Sequence, residues 1–386
     1  MPSEWDKERK FEIEKVHPMY LITALCVVPF GVYFLLNFLS PLIHRLTAMT
    51  ISEIYVYPIK SLRGVKVKEA LGTAHGFKHD RTFMLLRITP EGPVPMAVSK
   101  QPEMTQFLQE IHGYNDADGS LRVTFRAFGN AEAEKSLTIP LTPDPSSLEA
   151  TEITLHSSAT RALQMPQSYN DWFTSCFGYA VQLIYIGAHT RAVLFDDMQP
   201  REPSPLTRFL RAPLPFTTRS IASAIGLRPT SPQRIAFADC APFLVVSQTS
   251  VDDVSSRLPA GHAMDVTKFR PNIVVQGALD AYQEDYWGVL SINNSLDVVL
   301  AHNCVRCASV NVDYETGRPG KGELGDVLKK LQEDRRIDVG ARWSPVFGRY
   351  SFWGVGRGDE VVRVGDRVNV KKVNDGLSIF SWPGLS

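Results

Sequence analysis

Neither sign of charge is in excess in this chain: 41 basic side chains stand against 41 acidic ones in 386 residues. A chain so balanced has no global field to draw a polyanion, so nucleic acid is set aside as a partner. Cysteine is scarce. The five present, Cys26, Cys176, Cys240, Cys304 and Cys307, are odd in number and widely spread. That excludes the dense, even framework of a disulfide-stapled domain and fits reduced thiols facing the cytosol or a similar compartment. Cys304 and Cys307 have no second pair to complement them, and His302 is the only histidine near them. The four ligands of a structural zinc site are therefore missing, and no zinc is expected. No internal repeat is visible, and the strand–helix alternation of a doubly wound sheet is lacking.

One thing present in quantity is apolar sequence near the start. Residues 18–43, PMYLITALCVVPFGVYFLLNFLSPLI, contain no Asp, Glu, Lys, Arg or His. The run exceeds the roughly 20 residues that cross a hydrocarbon core, and it is expected to be a transmembrane anchor helix. Tyr20 and Tyr33 suit the interfaces, His17, His44 and Arg45 fence the run, and Pro29 is tolerable in a membrane helix. A cleaved signal peptide fits less well, because the polar leader, residues 1–17, is long and mixed in charge. Lys7, Arg9, Lys10 and Lys15 precede the run, against Arg45, Lys60 and Arg63 after it. That count leans towards a cytosolic leader, whereas reduced cysteines lean towards a cytosolic main body.

Downstream, short apolar and β-branched stretches predominate. Strands are expected at 51–57, in VKVKEA after Gly64, at 80–88 and at 121–128, with a short helix over 104–112. NDWFTSCFG predicts a helix begun by Asn170 or Asp171 and stopped by Gly178, followed by the strand VQLIYI. Residues 196–233 are rich in proline and are expected to form a long loop or insertion. The chain resumes with APFLVVS as a buried strand and a helix at Ser250–Asp253, whose spacing is that of a capping box. After the strand FRPNIVVQG comes a strand pair joined near Asn293 and Asn294. ELGDVLKKLQED predicts a helix, and EVVRVGDRVNVKKV a closing hairpin turning at Gly365-Asp366. Many short strands and few helices predict a β-rich α+β protein built on barrels.

The stretch AHNCVRCASVNV raises the chemical question. A pair three apart could be two incidental core cysteines, a redox pair, or a metal site using one thiolate. Arg306, directly before Cys307, places a fixed positive charge beside a thiol, which favours the metal-binding thiolate form. Lys60-Ser61, Arg81 and Arg270-Pro-Asn272 lie in turns beside strands. Each alone reads as surface charge; gathered by a barrel they would make a pocket for a phosphorylated ligand, with arginine forks on phosphate and Asn272 as donor and acceptor.

YPIKS, DR before a strand, FRPNIVVQG, CVRCASVNVDYETG, PVFGRY and VRVGDRV occur in the order found in MOSC-domain proteins. The chain resembles that family, and most of all its membrane-anchored amidoxime-reducing molybdenum enzymes, from about residue 51 to residue 373. The resemblance implies an N-terminal MOSC-type β-barrel module over 51–187, a MOSC catalytic domain over 234–373 and a tail at 374–386. It also implies a molybdenum cofactor, Mo-molybdopterin, whose metal is held by Cys307 as the catalytic ligand, with Cys304 a bystander. Lys60, Ser61, Arg81, Arg270, Asn272 and Arg306 match positions holding the pterin and its phosphate, and Asp239 and Ser247 lie in a segment lining the same pocket. The implied activity is reduction of amidoximes, hydroxylamines and N-oxides. Its electrons would come from NADH through a flavoprotein reductase and a b-type cytochrome, cytochrome b5. The implied location is the mitochondrial outer membrane with the MOSC domains facing the cytosol, the endoplasmic reticulum being the alternative. DYETG stands where DPDTG is usual, and the Pro-rich insertion is long; both bear on the substrate entrance. A sulfurase-type cofactor carrier without its own turnover is the rival reading, weakened by the lack of a pyridoxal-phosphate domain before the barrel.

Overall fold

A computed structural model describes residues 49–129, 134–198, 233–354 and 360–385. The expected leader and anchor, 1–43, and most of the Pro-rich stretch fall outside them. Among the described residues no helix is long and apolar enough to cross a membrane.

Seven strands close a barrel: β1 (Met49–Val56), β2 (Phe243–Ser247), β3 (Ile273–Gln276), β4 (Trp287–Ile292), β5 (Leu296–Val305), β6 (Val346–Trp353) and β7 (Arg367–Val373). Around the wall the order is β1-β3-β2-β6-β5-β4-β7, with β7 returning to β1. Closure removes exposed sheet edges, which explains why such short strands suffice. Period-2 alternation lines the interior with Ile54, Val56, Val245, Ile273, Leu290, Val298 and Val368, all buried. At the β4–β5 turn Asn293 and Asn294 have φ of 50° and 58°, the left-handed geometry that asparagine tolerates best among ordinary residues.

The rest of the N-terminal half carries two smaller antiparallel sheets. One runs Ala150–Leu155, Ser158–Gln164, Val181–Tyr185, Phe83–Thr89, Gly92–Pro95; the other is the meander Phe107–His112, Ser120–Phe125, Lys135–Pro140. They enclose a core around Phe83, Phe107, Val123, Phe173 and Leu183. Helix α1 (Gln167–Phe177) covers it, ending at Gly178 in the left-handed conformation as expected but starting earlier, after Pro166. The β-rich MOSC-type architecture expected from the sequence is what the chain adopts.

Four local expectations differ. Residues 107–112 form a strand, not a helix, because Phe107 and Gln109 share the inward face and the buried Gln109 amide bonds the Ile59 N–H and the Arg63 carbonyl. Gly365-Asp366 is a turn, but its flanks part: Glu360–Arg363 pairs with Glu69–Thr73 while β7 joins the barrel. Helix α2 (Gln248–Ser256) begins at Ser247 without a capping box, and the Ser250 hydroxyl donates instead to Glu284 Oε2 at 2.8 Å. Finally, β2, α2 and β3 make one parallel βαβ unit within an otherwise antiparallel wall.

Candidate active site

Tyr57 is the centre on which the basic residues converge. It is fully buried where β1 runs into the loop carrying Lys60 and Ser61, and two guanidiniums lie over its ring: Arg81 at 4.6 Å and Arg270 at 4.5 Å. Burial pushes the Tyr57 phenol upward, so it stays neutral. Gly64 packs directly against it, and a Cβ there would sit 2.5 Å from the ring. Three motif residues, Ser61, Arg81 and Arg270, have φ of 72°, 52° and 57°. Holding non-glycine residues in that region costs of order 1–3 kcal/mol each, strain that concentrates at functional sites.

Arg81 is fixed from three sides. It donates to Asp80, to Asn272 Oδ1 at 2.9 Å and to the Arg270 carbonyl at 3.1 Å. Burial disfavours its charge, but the Asp80 carboxylate more than offsets that and holds the guanidinium ionised. Asn272 is wholly engaged in the fold: its Oδ1 also accepts from the Leu244 N–H at 3.2 Å, and its Nδ2 donates to the Tyr55 carbonyl at 3.2 Å. It clamps Arg81 to the barrel through these bonds.

Lys60 is buried and donates to the Phe237 carbonyl at 3.0 Å and to Asp239 Oδ1. Burial pulls its ammonium downward, opposed by Asp239. The Asp239 carboxyl, which burial would raise, is held well below the usual carboxylate range by Lys60 and by His156, whose Nε2 lies 3.0 Å away. Arg191, fully buried, fixes this loop through the carbonyls of Leu155, Ala236, Ala238 and Asp239.

The cysteine motif ends β5. Cys307 is solvent-exposed, 3.2 Å from Ser309 Oγ, at the start of the single turn Ala308–Asn311. Arg306 beside it is buried, but its guanidinium faces Cys304: Nη1 donates to Cys304 Sγ at 3.0 Å and Nη2 to the Phe269 carbonyl at 3.0 Å. The expected partnership of Arg306 with the Cys307 thiol is thus indirect. What Arg306 does is tie the cysteine motif to the Val266–Phe269 turn, next to Arg270. Cys304 is buried beside Tyr350, inside the hydrophobic core.

Ser247 stands apart from this cluster. It is buried at the head of α2, and its N–H points to Glu284 Oε1 at 3.4 Å. Its strand places it three residues beyond Leu244, the one that contacts Asn272. In exchange the structure adds residues the motifs did not flag. Arg63 lies 4.5 Å and Lys268 5.7 Å from the Tyr314 ring centre, and Tyr314 is buried beside Arg270. Arg63 follows YPIKS by two residues and Tyr314 is one of the two unusual residues of DYETG, so both lay within reach of motif reading.

Arg270 Nη2, Arg306 Nε and the Tyr57 hydroxyl are buried without a protein hydrogen-bond partner. Orphan donors of this kind are costly unless a ligand meets them, since each unmet group costs about 1–3 kcal/mol. Nearby carboxylates do not meet them: Asp80 and Asp239 are paired as above, while Asp265 and Asp313 cap their own turns. A cofactor with an anionic tail and a thiol-seeking metal fits this donor set.

Two family models match the chain. Residues 232–369 match the MOSC domain and residues 48–180 the MOSC N-terminal beta barrel domain. The chain is 30% identical over 329 residues to mitochondrial amidoxime reducing component 2 of Macaca fascicularis, covering 83% of this chain and 82% of that one. It is 28% identical over 330 residues to mitochondrial amidoxime-reducing component 1 of Homo sapiens, with 83% and 82% covered. It is 27% identical over 295 residues to the molybdenum cofactor sulfurase of Arabidopsis thaliana, covering 74% of this chain but 31% of that protein.

Proposed function

The chain belongs to the MOSC-domain family that includes the mitochondrial amidoxime-reducing components, and from that premise we propose that it is a membrane-anchored, molybdenum-dependent reductase of N-hydroxylated compounds. One observation carries the reading: an exposed thiol, Cys307, directly follows Arg306, which with Arg270 keeps a buried donor unmet.

Cys307 would hold the metal, and the Arg270 and Lys60 side chains, with the backbone at Ser61, would take the anionic tail. Arg81 and Asn272 keep Arg270 in place, and Arg306 keeps the thiol-bearing turn against the Arg270 turn. When bound, the cofactor supplies two-electron redox chemistry that no side chain offers. The reduction consumes two electrons and two protons and releases water, with NADH as the source by way of a reductase and a b-type cytochrome. The apolar run 18–43 would confine the chain and a membrane-borne cytochrome to one surface, raising their effective concentration. A cytosol-facing membrane, the mitochondrial outer membrane first, is the proposed location.

The similarity to a cofactor sulfurase supports one alternative, a carrier that binds the cofactor without turnover. Metal analysis of the purified protein, paired with an NADH-driven benzamidoxime assay containing cytochrome b5 and its reductase, separates the two. Molybdenum with turnover supports the reductase. Molybdenum without turnover supports the carrier, and protein free of both overturns the proposal.

A further inference from the structure

A two-residue turn joins strands Ala150–Leu155 and Ser158–Gln164, and both its residues, His156 and Ser157, have positive φ, 49° and 63°. Hairpins of this type are normally turned by Asn-Gly, for which the geometry is cheap; a histidine there is strained. Contacts from the C-terminal end hold the turn. Trp382 Nε1 donates to the His156 carbonyl at 2.8 Å, and Ser157 Oγ to the Pro383 carbonyl at 3.5 Å. The strain delivers one thing, the imidazole, whose Nε2 rests 3.0 Å from Asp239 Oδ1. That oxygen also receives the Lys60 ammonium. Two groups able to carry positive charge therefore share a single acceptor atom.

This sharing matters if Lys60 anchors an anionic group, the reading on which the inference rests. An ammonium drawn to an incoming dianion weakens its hold on Asp239 and brings two negative groups close together. A neutral imidazole does not compensate for that; an imidazolium does. The Asp239 side chain is half exposed, and its backbone carbonyl is fixed by Arg191. We infer that His156 is the exchange partner of Lys60: as a phosphate-type dianion takes the ammonium, His156 binds a proton and holds Asp239 in its stead. The neutral ring donates from Nε2, so the proton taken from solvent goes to Nδ1, and no covalent bond is made or broken. The other charged groups acting on Lys60 and Asp239 are Arg191, committed to the carbonyls of Leu155, Ala236, Ala238 and Asp239, and Arg81, paired with Asp80.

Binding requires the protonated ring, so affinity is greatest at low pH and falls as pH rises, at most about tenfold per pH unit for one proton.

The test uses the full-length chain purified from a host that cannot make the cofactor, titrated with inorganic sulfate, a dianion that does not itself ionise between pH 5.5 and 8.5. In the wild type the sulfate dissociation constant should rise with pH across that range, by at most about tenfold per pH unit. His156→Asn tolerates positive φ and does not titrate; it should bind sulfate with a flat pH profile and an unchanged circular dichroism spectrum. A flat wild-type profile, or an unchanged slope in His156→Asn, overturns the exchange while leaving Lys60 as an anchor. Absence of Lys60-dependent sulfate binding at every pH removes the anchor and the exchange with it.

Discussion

Replacing Asn272 by alanine removes three hydrogen bonds at a residue that is 1% exposed. The Leu244 N–H and the Tyr55 carbonyl lose their side-chain partner, and Arg81 loses one of its three anchors. Buried polar groups left unmet cost about 1–3 kcal/mol each, so partial relaxation leaves a destabilisation of about 3–5 kcal/mol. Against a total stability of about 5–15 kcal/mol that is a large fraction. With about 2 cal/mol/K of unfolding entropy per residue, a unit of this size should lose roughly 4–7 °C from its melting midpoint. Urea denaturation of the purified chain gives the free energy, and metal content measured on the same samples should fall with it, because Asn272 holds Arg81, which donates to the Arg270 carbonyl. A loss below about 1 kcal/mol with the metal gone would refute the clamp and make Asn272 a direct ligand contact.

Lys60→Ala or Arg270→Ala should each lower molybdenum per chain, since either leaves an anionic group less well paired; unchanged metal in both would count against this pocket. Gly64→Ala places a Cβ 2.5 Å from the Tyr57 ring and should displace it from between Arg81 and Arg270. A drop in melting temperature together with metal loss is expected, and neither changing would mean the ring is free to move. Burial raises the Glu284 carboxyl from 4.5 to about 7. Its contribution to stability is therefore fully present below pH 4.5 and is lost as pH rises through about 7, a total of about 3 kcal/mol. Glu284→Gln should be more stable than the wild type at pH 8 and lose that advantage towards pH 4.5. The Ser250 hydroxyl can turn to accept from the amide. Parallel stability curves for the two proteins across that range would contradict the buried-carboxyl account.

The motif residues were legible because their backbone geometry demands particular local sequences. Ser61, Arg81 and Arg270 each sit at a left-handed turn leaving a short strand or 3₁₀ turn, and the flanking YPIKS, DR and FRPN strings carry that punctuation. The barrel strands were legible from alternation, as in Ile54, Val56 and Val245 on the inner face. What escaped depended on contacts distant in sequence. Gln109 breaks the apolar alternation of its strand because it serves the Lys60 loop, about fifty residues earlier. The 360–373 segment looks like a hairpin locally, yet each arm finds a better partner elsewhere, at Glu69–Thr73 and in the barrel. Arg306 looked like the partner of Cys307 because they are adjacent, but adjacent side chains in extended backbone point to opposite faces, and its guanidinium reaches Cys304 instead. His156 gave no signal at all, since a histidine in a two-residue turn is not what such turns normally contain.

The account stands or falls on the sulfur of Cys307, and elemental molybdenum per folded chain tests it most directly. Cys307→Ala should keep the circular dichroism spectrum and lose the metal and benzamidoxime reduction, whereas Cys304→Ala, altering a buried thiol that only braces Arg306, should keep most of both. A Cys307→Ala protein that retained wild-type molybdenum and turned over benzamidoxime at the wild-type rate would contradict it.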